Sequence, residues 1–449
     1  MTQRERIEGS WGIEPVPERL RVLGTLDTGL LWGNLGVSLL VIVAGAALVP
    51  ALSLRDALLA ILLGCAIGNT MLGVAGAIGA DARVPGMVLM RAPLGRRGSY
   101  LPTGVNVLQG LGWTVFELVV IATAAAALSD ELFGFRAQWL WTIVFGAFAL
   151  VLALLGPIGF VRRFVRRVAV WAVPVALVYL TWWAFDGAEL SALWDSPGTG
   201  GLSVWQGADI VVAITVSWAP LAADYTRFST TRRAGGIGSG LGYFVPDAWL
   251  LALGVLLVLS RDLSDPAALP AAVVAGGFAA ILALFALLVT ETDEAFANTY
   301  SAAVSLQNLV PRAPQPLLVM LVAVTATAGA LVIDLVNYQS FLLLLGSVFV
   351  PLFAVLLADW LAAGARYSTD DVFGAPTWRP GLIAAWIAGF ALYQWLFPTG
   401  PGWWVDLVEK LDPPSWRIGA TVPSFLAAFT IASVVAVLSR RSAAGAAPA

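Results

Sequence analysis

Along this chain apolar positions do not alternate with polar ones; they run on. Tyr243–Ser260 is interrupted by one charge, Asp247, and Val273–Val289 by none. Apolar runs of about 18 residues or more suit a helix that crosses a bilayer. Barrel staves would be shorter and would alternate. The pattern predicts an all-α integral membrane protein with twelve transmembrane helices. The expected spans are 26–50, 56–80, 102–128, 138–161, 168–185, 207–224, 237–260, 270–299, 316–332, 334–358, 380–397 and 418–438.

Two spans carry interruptions at matching places. In the first, Trp32, Gly33, Asn34, Leu35, Gly36, Val37 and Ser38 set two glycines and two polar side chains among aliphatics. In the sixth, Thr215, Val216, Ser217, Trp218 and Ala219 lead to Pro220, which removes a backbone donor and clashes with the preceding turn. Helices broken near the bilayer midplane turn free backbone groups toward a solute and an ion. First and sixth are the positions expected of inverted repeats. The expected division is a tail over 1–25, five-helix repeats over 26–185 and 207–358, two additional helices over 380–438 and a tail over 439–449. Glycine and proline also occur in membrane helices that merely pack closely.

Composition agrees with membrane burial. Hydrophobic residues make up 59% of the chain and charged ones 12%, where soluble domains carry about 25%. The basic residues fall on one side of the expected topology. With both termini cytoplasmic, twenty of the 25 lie in inner segments, and Arg55, Arg136, Arg261, Lys410 and Arg417 lie outside. Basic loops stay inside, so the chain is expected to be a multi-pass protein of the cytoplasmic (inner) membrane with both tails in the cytoplasm. Within that frame Arg162, Arg163, Arg166 and Arg167 form an inner loop, and no nucleic-acid partner is expected. The charged first two dozen residues lack the apolar core of a signal peptide. The Pro/Gly/Trp-rich stretches 186–206 and 398–417 read as outer loops.

The missing residue types narrow the chemistry. There is no histidine, and Cys65 is the single cysteine, so no intrachain disulfide and no Cys–His pair can form. HExxH and the phosphate-binding Gly-x-x-x-x-Gly-Lys-Ser/Thr motif are both absent. A membrane-embedded hydrolase and an ATP-driven pump thus lack their machinery, and no cofactor is expected. A secondary transporter and a channel remain.

The chain resembles the nucleobase–cation symporter-1 family, which includes cytosine permease and bacterial hydantoin transporters. The resemblance runs from about residue 12 to 365. It rests on RAPLGRRGSYLP over 91–102, Gly112-Trp113 in span three, and Asp224, Tyr225, Thr226, Arg227 and Phe228 after span six. It continues through NTYSAA over 298–303, then Leu306, Gln307 and Asn308, and ends on Phe341, Gly346, Ser347, Pro351, Ala358, Asp359 and Trp360. The order and spacing of these pieces look most like cytosine permeases and hydroxymethylpyrimidine permeases. The resemblance implies a leucine-transporter-type fold of two inverted five-helix repeats plus two helices. It also implies import of a nucleobase-like heterocycle by alternating access, coupled to Na+ or H+; a monomer is expected. Purines, hydantoin, allantoin and vitamin precursors are the alternative cargoes.

The same resemblance assigns candidate residues. Trp113 matches the family tryptophan that stacks on the planar solute, and base–aromatic stacking contributes about 1–3 kcal/mol. Glu117 lies one turn further on the same helical face, where hydantoin carriers place a glutamine that reads the ring edge. An acid there suits an amino-pyrimidine edge or a coupled proton. Trp218 is the candidate second wall, although relatives put their aromatic at the position of Thr215. Asn298 matches an asparagine that hydrogen-bonds the solute, and Ser38 lies beside the first break. The cation ligands fall at Thr292 and Asp293, with carbonyls near Gly33 and Val37; oxygen donors of this kind suit Na+. Thr292 and Asp293 belong to a knot, Thr290 to Glu294, with three acids. Glu291 and Glu294 share a face and Asp293 does not, so at least one is expected to meet vestibule water. Asp224 and Arg227 are expected to pair as a helix-end salt bridge. Asp247 and Asp334 have no assigned role.

Overall fold

Length and apolarity make the described residues of the expected spans predominantly helical. The computed structural model describes residues 11–261, 278–333, 338–414 and 416–445. Among them no strand forms, and one isolated bridge pairs Leu23 with Ser229. The principal helices are α1 (Thr25–Leu35), α2 (Leu39–Ala46), α3 (Leu54–Ala82), α4 (Tyr100–Phe133), α5 (Gln138–Phe160), α6 (Val170–Phe185) and α7 (Val204–Ser217). They continue as α8 (Ala222–Thr226), α9 (Arg232–Arg261), α10 (Phe278–Leu309), α11 (Gln315–Ala330), α12 (Tyr338–Ala362), α13 (Pro380–Leu396) and α14 (Thr421–Gly445). Seven described helical segments are long and apolar enough to cross a membrane, and the bent pair α1–α2 makes an eighth. Three more, Val173–Phe185, Gln315–Ala330 and Pro380–Leu396, are shorter apolar helices. The first residues of the spans expected at 270–299 and 334–358, Asp334 among them, lie outside the described residues.

Both interruptions are real breaks. α1 stops at Gly36, and α2 restarts behind Ser38 at an angle of 60°. Ser38 is extended, with φ −138°, and its Oγ accepts from the Leu40 amide at 3.0 Å, an N-terminal cap. α7 opens on a capping box of Ser203 and Gln206. It ends at Ser217 because Pro220 supplies no amide proton to the turn before it. The chain passes through turns at Trp218–Leu221 before α8 resumes. A third break falls at Gly156, which takes φ 66° just before Pro157; the residue before proline is pushed out of the helical region. Beyond it, wide π-type turns at Val161–Ala169 carry the chain into α6, so the expected arginine loop is helical.

Packing is close where glycine allows it. α9 runs along α3, α1 and α2. A Cβ on Gly45 would lie 2.1 Å from the Leu251 carbonyl oxygen, and one on Gly254 would lie 2.0 Å from that of Ile42. α10 packs on α4, while α12 joins α7 to α13 and α14.

The segments expected on one side gather at one end. Val16 donates to the Arg83 carbonyl, and the Arg227 guanidinium reaches the carbonyls of Gly12 at 2.7 Å and Trp11 at 3.2 Å. Arg91 meets Asn308 at 2.7 Å, and Asp359 pairs with Arg379 at 2.8 Å. At the other end Arg55 pairs with Asp195, Thr199 donates to the Pro50 carbonyl, and Arg261 reaches the Trp183 carbonyl. The expected Asp224–Arg227 ion pair does not form. Asp224 accepts instead from the Gly86 amide at 2.9 Å, which places its carboxylate at the start of a short helix, Gly86–Leu89.

Candidate functional site

The two main breaks face each other across a small enclosed cavity. Ser38 beside the first and Ser217 and Trp218 beside the second reach it. Trp113 from α4, Tyr243 from α9, and Glu294 and Asn298 from α10 complete its polar and aromatic wall. Its space is about 20 Å³. That admits about one water, far below the ~300 Å³ at the lower end of small-molecule sites. A ring enters only if these side chains move apart.

The aromatic walls have distinct supports. Trp113 meets Phe341 edge-on, with centroids 5.4 Å apart and planes at 71°. Trp218 meets Trp32 edge-on at 5.9 Å, and its indole N–H donates to the Tyr243 hydroxyl at 2.9 Å. Edge-to-face contacts hold these rings in a fixed orientation.

Beside the cavity lies a buried acidic group. Glu117 is fully buried, and neither of its oxygens accepts a hydrogen bond of normal geometry; its carboxyl faces those of Glu294 and Glu291. Glu294 is 5% exposed, and its Oε1 likewise lacks a partner. Glu291 closes the break in the first span: Ser38 Oγ donates to it at 2.8 Å and the Leu39 amide at 3.0 Å. Asp293 takes the Asn34 side-chain amide on one oxygen and leaves the other without a partner. Among the described residues none of these four pairs with an arginine or lysine. Unpaired carboxylates this deep are costly, so protons or a cation must offset their charge.

Trp113, Trp218, Asn298 and Ser38 thus meet at one cavity, and several other sequence expectations need correction. Thr215 does not reach the cavity: its hydroxyl donates to Asp247 at 3.0 Å, on a side of α7 turned from the face that Ile214, Ser217 and Trp218 share at i, i+3, i+4 spacing. Glu117 stands behind Glu294 and not in the wall. The Thr292 hydroxyl turns to the Leu288 carbonyl at 3.1 Å, away from Asp293. Gly33 packs against Gly242 and Val37 sits in the break itself, placements that leave the expectation for their carbonyls as it was. No acid of the knot meets outside water, since Glu291, Asp293 and Glu294 are all buried. Among the described residues no three His, Cys, Asp or Glu side chains are grouped to hold a metal ion.

Two features escaped sequence reasoning. Tyr243 and Asp247 lie one turn apart on α9, so Tyr243 faces the cavity while Asp247 lies beside it. Asp247 gathers Asn69 at 3.1 Å, Thr215, and the Cys65 thiol at 3.4 Å on one oxygen. Glu294 was read as part of an acidic knot, yet it is the acid that lines the wall. The i, i+4 spacing of Glu294 and Asn298 was the available signal.

The sequence profile of a family described as permease for cytosine/purines, uracil, thiamine, allantoin matches residues 15–419. The hydantoin permease of Microbacterium maritypicum is 24% identical over 389 residues, covering 79% of this chain and 76% of its own. A nucleobase-cation-symport-1 family transporter, Mhp1, solved closed with bromovinylhydantoin bound, aligns with a TM-score of 0.78. Its identity is 20%, over 98% of this chain and 95% of that one. A Na+-coupled sialic acid symporter aligns with a TM-score of 0.60 at 10% identity, over 98% and 95%. The fold is therefore the expected leucine-transporter type of membrane carrier.

Proposed function

The chain belongs to the family of permeases for cytosine/purines, uracil, thiamine and allantoin, and from that premise we propose that it imports a small flat nitrogen heterocycle together with a cation. It is a multi-pass transporter of the nucleobase–cation symporter family and not an enzyme. The observation that carries the cargo reading is the meeting of Trp113 and Trp218 at one cavity between two broken helices. Two indole faces suit a planar ring, and stacking on each contributes about 1–3 kcal/mol. Cytosine and hydroxymethylpyrimidine are favoured as cargo. Hydantoin is the second reading, favoured by the similarity to the Microbacterium maritypicum permease.

In this proposal repeats over 26–185 and 207–358 rock about the central site, and 380–438 adds two outer helices. The protein works as a monomer in the cytoplasmic membrane, both tails inside. The cation is Na+ or H+, and the carboxyl group around Glu117, Glu291 and Glu294 supports the proton. Sodium has weaker support, because Thr292 is engaged on its own helix and Asp293 already holds Asn34.

Proteoliposomes loaded with unlabelled cytosine should accumulate labelled cytosine by counterflow, saturably and without ATP. Flux that rises linearly with concentration and shows no counterflow would mean a channel. Absence of flux for every nucleobase and hydantoin tested would end the cargo reading.

A further inference from the structure

A second cavity lies on the flank of the bundle, between α3 and α9. It is a groove of about 640 Å³ that follows α3 from Ala66 to Ala77 and α9 from Phe244 back to Arg232. The two helices approach closely along its floor. A Cβ on Gly73 would lie 3.0 Å from the Gly236 carbonyl oxygen, and one on Gly240 the same distance from that of Asn69. Ile237 and Leu241 stand beside it 40% and 64% exposed. The donors within the groove are engaged. The Thr70 hydroxyl donates to the Ala66 carbonyl at 2.7 Å, and the Asn69 amide to the Cys65 carbonyl and to Asp247. Charge enters at one end only, where Arg232 and Arg233 begin α9.

The two arginines are presented differently. Arg232 is held in place: it meets Asp81 at 2.7 Å and the Ala365 carbonyl at 2.8 Å, and lies over the Trp360 ring at 5.6 Å. Both bonds use Nη2, and the side chain stays 42% exposed, which leaves Nε and Nη1 for a further acceptor. Arg233 is exposed and has no partner among the described residues. The nearby acids are already engaged, Asp81 by Arg232 and Glu18 by both Arg21 and Arg83, so positive charge is in excess. The Thr230 amide donates to the Leu23 carbonyl, so this is the end where the amino-terminal segment gathers. Helices rise 1.5 Å per residue, so the groove from Ala66 to Ala77 is about 16 Å long, close to one leaflet of a ~30 Å hydrocarbon core.

We propose that this groove binds an anionic phospholipid of the cytoplasmic leaflet, with one acyl chain laid between α3 and α9 and the phosphodiester against Arg232 and Arg233. A guanidinium offers paired N–H donors that match phosphate oxygens. Basic pockets between spanning helices on the cytoplasmic side suit anionic headgroups. A polar solute finds no free donor along the apolar length. A neutral, zwitterionic lipid gains the chain contacts but brings no net negative charge to the arginines.

Native mass spectrometry of the purified full chain in a neutral detergent tests this. Titration with dioleoyl phosphatidylglycerol or dioleoyl phosphatidylcholine reads bound lipid and oligomeric state together. We expect phosphatidylglycerol to bind at least about tenfold tighter, a gap of ~1.4 kcal/mol. Arg233→Gln should bring that preference down to about threefold or less. Arg312→Gln, at an exposed arginine of the same end but outside the groove, should keep it. Ile237→Trp fills the groove from its wall and should weaken both lipids by about tenfold. Thermal unfolding without lipid reports that each variant is folded. Glycerol 3-phosphate, the headgroup chemistry without chains, should not displace the lipid. Equal affinity for the two lipids in the wild type would overturn the proposal. So would an unchanged preference in folded Arg233→Gln, or an equal loss in Arg312→Gln, which would mean diffuse surface charge. Displacement by glycerol 3-phosphate would leave the groove without a role. A wild-type dimer that is lost in Ile237→Trp would assign the groove to a second copy of the chain instead.

Discussion

The Leu39 amide donates to both carboxyl oxygens of Glu291 at 3.0 Å, so an acid on α10 closes the open amino end of α2. Ser38 adds a third bond at 2.8 Å. The break in the first span is thus held shut from across the bundle. An anion belongs there, since the start of a helix carries free amides and partial positive charge. Glu291→Ala strands at least two buried donors, each costing about 1–3 kcal/mol. Its thermal unfolding in detergent should fall well below that of wild type, and Glu291→Gln, which keeps an acceptor oxygen, should fall less. Equal melting for Glu291→Ala would mean that the cap does not hold the break.

Trp113 forms one side of the cavity and is braced edge-on by Phe341 and by Phe116 at 6.5 Å. Removing its indole takes away one stacking face, about 1–3 kcal/mol. Trp113→Ala should therefore weaken cytosine binding by roughly 5- to 150-fold, measured by calorimetry. Trp113→Phe should lie in between. An affinity unchanged in Trp113→Ala would show that the ring stacks elsewhere.

Thr215 offers a contrast. Its hydroxyl serves Asp247, along with Asn69 and the Cys65 thiol, and does not touch the cavity. Thr215→Val keeps the shape and removes one of three donors to a buried carboxyl, a loss of about 1–3 kcal/mol. We expect a lower melting temperature and a cytosine affinity within about twofold of wild type. A large affinity loss with unchanged melting would return Thr215 to the binding wall.

Local signals made much of this architecture readable. Apolar length fixes where helices run, and Gly36 and Pro220 mark where two of them stop. That Trp113, Ser38 and Asn298 would come together was legible because each lies on a regular helix or at its cap. The place of Thr215 was not, since its distance in sequence from Asp224 does not tell which side of α7 the cavity lies on, and the cavity takes the face of Ile214, Ser217 and Trp218. The roles of the acids were also hidden. Glu291, Asp293 and Glu294 lie within one turn, and only the packing partners, Leu39, Asn34 and Glu117, tell them apart. Arg227 belongs to the same class: the sequence suggests an ion pair with the Asp224 carboxylate, yet its guanidinium donates to the backbone carbonyls of Asp224, Gly12 and Trp11 and to the Tyr300 hydroxyl.

Those bonds carry a consequence for the terminal segment. The guanidinium is fully buried and ties residues 11 and 12 to the inner ends of α8 and α10. Arg227→Ala removes the tie and leaves four acceptors without it. Hydrogen exchange over residues 12–23 should speed up by about tenfold or more, since each 1.4 kcal/mol of lost protection is a factor of ten. Exchange as slow as in wild type would mean that the bonds Val16–Arg83, Leu23–Phe228 and Thr230–Leu23 suffice to hold the segment.

Sodium provides the sharpest test of the coupling ion. If sodium and the ring bind together, each must tighten the other by the same factor. A sodium site near Asp293 needs several oxygens turned inward, yet Thr292 is bonded to Leu288 and Asn34 presents a donor amide to Asp293. An amide N–H there supplies the partial positive charge that a cation would bring. Replacing choline by sodium at constant ionic strength should therefore change cytosine affinity by less than about twofold. If the coupled ion is a proton, as proposed, lowering the pH from 8 to 6 should strengthen it, because linkage favours the state that holds more protons at higher proton activity. Tightening by sodium that disappears in Asp293→Ala would reverse the assignment: Asn34 would have to swing away, and the α10 acid would be the ion's ligand.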